Sequence, residues 1–262
     1  MDAGPAAVTD ASVVRTLRAA GCVFAEDEAA LLVAAARTPD ELTAMVEQRV
    51  AGRPLEHVIG WAEFCGLRIA VDPGVFVPRR RTEFLVELAA ARTRPGSIVV
   101  DLCCGSGALG AALAVAAGPI ELHATDVGPA AVRCARRNVD GSVYEGDLFE
   151  PLPRSLRGRV DVLLSNVPYV PSDEVGLLPA EARQHEARIA LDGGADGLDV
   201  LRRVAAAAPT WLAPGGHLLI ETSERQAPQA VAVLESCRLN TRVASDEDRG
   251  ATVVIGRSLL PR

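Results

Sequence analysis

The chain contains no lysine. All 27 of its basic residues are arginine, so no side-chain amine is available as a Schiff-base nucleophile or a lowered-pKa base. We read that bias as the base composition of the source genome. Aromatic residues make up only 3% of the chain, against 49% hydrophobic residues overall, so the core must be built from Ala, Val and Leu. The six cysteines, at 22, 65, 103, 104, 134 and 237, include no C-x-x-C pair. That spacing favours neither a zinc site nor a disulfide framework and leaves reduced, mostly buried thiols as the expectation. The four histidines (57, 123, 185 and 217) are isolated from one another, so no metal site is expected. No apolar run approaches the roughly 20 residues of a membrane span, and no basic segment precedes an apolar one at the N-terminus. Neither a membrane association nor a signal peptide is expected, and the expected location is cytoplasmic. A net charge of −7 argues against stable nucleic-acid binding, which needs clustered positive charge. Of the local basic clusters, Arg133/Arg136/Arg137 reads as a solvated helix face, while Arg79-Arg80-Arg81 lies in a loop-like context and is left open.

What is present divides the chain in three. Residues 1–58 read as a small helical domain, with helical patterns in ASVVRTLRAAG, AEDEAALLVAAA and TPDELTAMVEQRVAG. Such a unit is too small to bury much apolar surface alone and is expected to pack on something else. Residues 59–78 alternate apolar and polar positions around an Asp72-Pro73-Gly74 turn signal, the pattern of a β-hairpin linker. From residue 79 to 262 the pattern alternates strand and helix: SIVVDL, ELHATD, SVYEGD, VDVLLSN and HLLIET read as strands separated by helices, with TRVAS and ATVVIGR closing the chain. The fold class is therefore α/β, with a mostly parallel sheet covered on both faces.

Between the first of these strands and its helix lies DLCCGSGALG, residues 101–110, a G-x-G-x-x-G run. Alone it would fit a dinucleotide pyrophosphate at a helix N-terminus. Asp101 argues otherwise: a carboxylate at the strand tip, expected to face the ligand, repels pyrophosphate and suits a cationic ligand without phosphates. S-adenosylmethionine, with its α-ammonium and sulfonium, is such a ligand. Residues 103–107 (Cys103, Cys104, Gly105, Ser106, Gly107) would cradle it. Asp126, closing the second strand, is placed to take the ribose hydroxyls. Asp147, closing the third, would accept from the adenine amino group, with Leu148 beside the ring. The fourth strand ends in Asn166-Val167-Pro168-Tyr169. The Asn166 side-chain oxygen and the Val167 carbonyl are two successive acceptors. Pro168 stiffens the turn and removes a donor, and Tyr169 can wall the pocket. Such a pair can grip both hydrogens of a planar NH₂ group and aim its nitrogen for in-line methyl transfer.

These stretches resemble the HemK/PrmC family, the protein-glutamine N5-methyltransferases that modify peptide-chain release factors. The resemblance runs over roughly residues 50–256. GRPLEHVIGWAEFCGLRIAVDPGVFVPRRRTEFLV is similar to the family's linker hairpin and its Pro-Arg-Pro-Glu-Thr-Glu segment. DLCCGSGALG resembles its Asp-Leu-Gly-Thr-Gly-Ser-Gly-Ala loop, SNVPYV its Asn-Pro-Pro-Tyr motif, and HEARIALDGGADGLDVLRR its Gly-Gly…Asp-Gly-Leu segment. The resemblance implies a class I, Rossmann-like methyltransferase fold with a seven-stranded sheet, S-adenosylmethionine as cofactor, Asn166 at both cofactor and acceptor, and the Gly-Gly-Gln loop of a release factor as protein substrate. Departures are Val167 for the first Pro of the motif, Cys103-Cys104 for Gly-Thr, Arg80-Arg81 for Pro-Glu, Ala187 for the Pro after Glu186, and a short N-terminal unit. The alternatives are a nucleobase amino-methyltransferase acting on adenine N6 or cytosine N4, and a protein that binds S-adenosylmethionine without catalysis.

Overall fold

A computed structural model describes residues 10–259. Three helices open it: α1 (Asp10–Ala19), α2 (Ala25–Ala35) and α3 (Pro39–Val50). Thr38 caps α3 through its hydroxyl and Pro39 fills the first turn. A short α4 (Leu55–Ile59), too short to show a helical period in the sequence, ends at Gly60 in the left-handed region. The first helices enclose a small core of their own around Val13, Leu17, Leu32 and Leu42. The unit is also tied outward: Arg49 pairs with Glu28 at 2.7 Å inside it and reaches Glu181 at 2.6 Å in the main domain.

The hairpin follows, β1 (Trp61–Phe64) against β2 (Leu67–Ala70). Its turn is at Cys65-Gly66, both at positive φ, and not at Asp72-Pro73-Gly74. The latter does turn, with the Val75 amide donating to the Asp72 carbonyl at 3.1 Å, but it redirects the chain after the hairpin. His57 Nε2 stands 2.8 Å from the Val75 carbonyl and fixes that bend to α4.

The rest comprises α5 (Glu83–Ala90), β3 (Ile98–Leu102), α6 (Ala108–Ala117), β4 (Glu121–Asp126), α7 (Pro129–Asn138), β5 (Ser142–Glu145), β6 (Val160–Ser165), α8 (Ala180–His185), α9 (Asp199–Trp211), β7 (Leu212–Thr222), α10 (Ala227–Ser236), β8 (Leu239–Asp246) and β9 (Ala251–Ser258). The seven strands of the large sheet lie in the order β5-β4-β3-β6-β7-β9-β8. Pairings are parallel except around β9, which is antiparallel to both β7 and β8. Central strands such as β3 are buried along their whole length, as expected when helices cover both faces. One apolar cluster joins the sheet to α9 and α10 through Leu163, Leu201, Val204 and Leu234. The other joins it to α5, α6 and the hairpin through Phe64, Leu85, Leu113 and Leu164.

The chain lays β4 and β5 to one side of β3 and then returns to place β6 on the other. That reversal opens a crevice at the carboxyl ends of the strands. Register sets its floor. Leu102 pairs with Thr125 and with Ser165, and Thr125 with Tyr144, so the segments that follow these four residues emerge side by side.

Candidate active site

Above that row is a cavity of about 520 Å³. On one side it is bounded by Cys103, Cys104, Gly105 and Ser106, by Asp126, and by Asp147 and Leu148; on the other by Asn166, Val167, Pro168 and Tyr169. Asp101 and Gly107 are not on its wall.

The first side is built locally. The Gly105 amide donates to Asp126 Oδ2 at 2.9 Å and the Gly128 amide to Asp126 Oδ1 at 2.8 Å. Two backbone bonds therefore hold this carboxylate at the end of β4, with a lone pair on each oxygen left over. Burial raises its pKa against the pull of those bonds. Gly107 caps α6 at φ 79°, and a β-carbon there would stand 2.5 Å from Val139 Cγ2; this glycine is required by packing. Asn138, closing α7, donates to the Ser106 carbonyl at 2.8 Å and to the Ala70 carbonyl at 2.9 Å, and accepts from the Ala70 amide. It thereby ties the loop to the hairpin.

The expectation that Asp101 faces the ligand is corrected. The penultimate residue of β3 points into the face covered by α6, where its carboxylate is 1% exposed and accepts from the Gly110 amide at 3.1 Å. Glycine at 110 leaves room for this, since a β-carbon there would lie 3.3 Å from Asp101 Oδ2. Desolvation lifts the Asp101 pKa to about 7. Asp147 also departs from expectation: β5 stops at Glu145, and Asp147 sits in the following turn, paired with Arg203 of α9 at 2.5 Å. Cys103 and Cys104 pack in different clusters, Cys103 beside the one containing Leu102 and Leu148, Cys104 with Ala124 and Ala135. Burial pushes both thiols up, so neither is a ready thiolate. Cys103 occupies the left-handed region, φ 55°, a conformation that costs a side-chain-bearing residue about 1 kcal/mol.

The second side is built over long range. Val167 is 1% exposed and fills an apolar slot in the α9 cluster. Among the described residues, neither the Asn166 amide nor the Val167 carbonyl has a hydrogen-bond partner. Below the turn runs the Gly-Gly…Asp-Gly-Leu stretch. The Gly193 amide donates to the Val170 carbonyl at 2.8 Å. Gly197, at φ 76°, lies so close that a β-carbon would overlap the Tyr169 carbonyl and Gln226 Nε2. Gln226 itself donates to the Tyr169 carbonyl at 2.9 Å.

Two arginines of the open cluster complete this wall. Arg79 pairs at 2.6 Å with Glu186, whose side chain is 1% exposed. Arg81 donates to the Tyr169 hydroxyl at 2.6 Å and to Glu221 Oε1 at 3.3 Å, and the same hydroxyl donates to Glu221 at 3.2 Å. Sequence reading missed Glu186, Glu221, Gln226 and Asn138. The available signals were Glu186 in the family-like HEARIAL stretch and Glu221 closing the otherwise apolar HLLIE.

A glycine loop held on a strand-end carboxylate, opening into the same cavity as an unsatisfied Asn-Val-Pro-Tyr turn at the sheet's reversal point, defines a class I S-adenosylmethionine-dependent methyltransferase. Comparison agrees. The methyltransferase small domain family matches residues 66–195. The fold is shared with a methyltransferase from Pyrococcus furiosus, TM-score 0.55 at 16% identity over 74% of this chain and 90% of that one. The chain is 36% identical to the release factor glutamine methyltransferase of Geobacter sulfurreducens, over 83% of this chain and 78% of that protein. With that of Streptomyces coelicolor it shares 40% identity over 71% and 68% respectively. The chain belongs to the release factor glutamine methyltransferase family. Among the described residues no helix is long and apolar enough to cross a membrane.

Proposed function

We propose that this protein methylates the side-chain nitrogen of the glutamine in the Gly-Gly-Gln loop of a peptide-chain release factor, working in the cytoplasm. The observation that carries the reading is the pair of unsatisfied acceptors, Asn166 and the Val167 carbonyl, at the rim of the cofactor cavity. Acceptors left free on a cavity wall are available to a ligand, and a primary amide with two hydrogens matches both.

The donor set fits S-adenosylmethionine. Asp126 offers two oxygens in one plane to a ribose diol, Asp147 an acceptor and Leu148 an apolar surface to the adenine, and residues 103–106 a backbone cradle for the amino-acid end. When bound, the cofactor supplies a methyl group on a sulfonium. The protein's task is then orientation: Asn166 and the Val167 carbonyl hold the amide in plane, Pro168 keeps that turn stiff, and Tyr169 bounds the far side. Both gripping groups are acceptors, so they stabilise the positive charge that develops on the nitrogen as it takes the methyl more than they stabilise the neutral amide. The nitrogen would gain one methyl while the sulfonium becomes a neutral thioether, and the N-protonated amide, a strong acid, would lose its proton to solvent water. Residues 1–58, 59–78 and 79–262 form, in this reading, a docking unit, a linker and the methyltransferase domain.

The test is transfer of labelled methyl from S-adenosylmethionine to purified unmethylated release factor, with mass spectrometry of the Gly-Gly-Gln peptide. One methyl on that glutamine is expected. Label on nucleic acid, or no transfer with cofactor binding intact, would overturn the assignment of the acceptor.

A further inference from the structure

We propose that Arg81 is a positioning residue for methyl transfer: through Glu221 and the Tyr169 phenol, it makes the segment after the hairpin a rigid wall of the acceptor pocket. This rests on reading residues 166–169 as the acceptor site.

Glu221 lies near the end of β7 with a side chain 2% exposed. Its Oε1 accepts from Arg81 and from the Tyr169 hydroxyl, while its Oε2 is buried without a partner. A carboxylate in that position costs several kcal/mol unless a cation compensates it, and Arg81 is the cation that reaches it. The arginine is needed by the buried glutamate, and the glutamate in turn orients the phenol.

The consequence falls on Tyr169. Its hydroxyl donates to Glu221 and accepts from Arg81, so its donor and one acceptor position are committed. Its carbonyl is held independently by Gln226. Both ends of the residue are fixed, and the ring between them lines the cavity beside Asn166. The phenol's pKa is raised, chiefly by burial, so it stays a neutral hydrogen-bonded wall and not a base. The Arg81 guanidinium carbon also stands 5.9 Å from the Tyr169 ring centroid. Arg79, two residues earlier, is anchored in parallel: it pairs with buried Glu186 and lies 4.8 Å from the Phe76 ring centroid. Two arginine–glutamate pairs thus fasten residues 76–82 along one side of the cavity. Arg81 differs from Arg79 in touching the acceptor turn itself.

The experiment compares Arg81→Gln, Arg81→Lys, Tyr169→Phe and the Arg81→Gln/Tyr169→Phe double variant, each in the full-length, cofactor-loaded protein. Arg81→Gln should lower kcat on release factor about 10- to 50-fold, the scale of a small misplacement of reacting groups, with the dissociation constant for S-adenosylmethionine changed less than about two-fold. Lysine should restore part of the loss, since it returns the charge without the fork. The double variant should be little worse than Arg81→Gln, because both substitutions break one network. Hydrogen exchange at the Tyr169 and Val170 amides should quicken in Arg81→Gln and stay unchanged in the loop of residues 103–107. Additive losses with unchanged exchange at residues 169–170 would overturn the proposal. So would an equal loss of cofactor affinity and thermal stability in both arginine variants, which would reduce Arg81 to a folding contact. If the wild type transfers no methyl to release factor, the acceptor assignment fails by itself, and the exchange comparison still decides the role of Arg81.

Discussion

The two sides of the cavity are assembled differently. The cofactor side is short-range: Asp101 reaches Gly110, Gly105 reaches Asp126, and Gly128 reaches the same carboxylate two residues away. Two consecutive strand–helix units frame it, with Asn138 to Ala70 and Asp147 to Arg203 as its longer ties. The acceptor side is stitched across the chain, with Arg79 to Glu186, Arg81 to Tyr169 and Glu221, and Tyr169 to Gln226. A binding site for a common cofactor can be carried by one local unit. A site that must hold one amide in line with a donor needs walls fixed from several directions.

Substitutions can break or sharpen that contrast. The largest effect is expected for Asn166→Ala, which removes one of the two amide acceptors: turnover should fall by roughly 10²–10³-fold, while the S-adenosylmethionine dissociation constant moves only a few-fold. Single-turnover transfer and calorimetric titration read the two quantities, and equal losses in both would erase the division between the sides. Gly197→Ala comes next. Its β-carbon meets the Tyr169 carbonyl and Gln226, so about 2–4 kcal/mol of stability should go, seen as a lower midpoint in denaturant together with lost turnover. A folded, fully active variant would show that the turn does not depend on its buttress.

Asp126→Ala should do the converse of Asn166→Ala. Losing charge-assisted bonds to a diol costs about 1.5–3 kcal/mol, so cofactor affinity should weaken roughly 10- to 100-fold and turnover at saturating cofactor should largely recover. The smallest effect is expected for Asp101→Asn. The folded-state pKa of Asp101 is raised to about 7, above the ordinary value near 4. Between those values the folded state binds a proton the unfolded state lacks, so this group's contribution is fully present below about pH 4 and lost as pH rises to about 7. The neutral isostere keeps the acceptor for the Gly110 amide and should melt a few degrees higher than wild type at pH 8, with the gap closing at pH 4. A gap independent of pH would show that Asp101 ionises as an ordinary carboxylate.

The legible parts of the sequence were those set by neighbours. SIVVDL, ELHATD and VDVLLSN read as buried strands because their apolar runs are short and bounded, and Pro129 and the glycines marked helix ends. That Asp126 and the Asn166–Tyr169 turn would face one cavity was legible because strand ends in an open α/β sheet converge. Asp101 was misjudged because a strand tip alternates its side chains between faces, and one residue of phase decides between cavity and core. The hairpin turn was misplaced because Cys65-Gly66 is a weaker signal than Asp72-Pro73-Gly74. Val167 was legible only as a departure from the first Pro of the motif, but its buried side chain gives the turn an apolar anchor in the core.

By itself the sequence determined the α/β class, the alternation of strands and helices in the main domain, and the position of the glycine loop, because each follows from periodicity and from residues within one turn or one strand. Tertiary structure alone decided that Arg79 and Arg81 line the cavity, that Glu186 and Glu221 are their buried partners, and that Gly193 and Gly197 lie beneath the Asn-Val-Pro-Tyr turn. Those contacts join residues far apart in the chain, and a charged residue's local context is the same whether it meets water or a buried counter-ion. Only the packed fold removes the water and makes the pairing necessary.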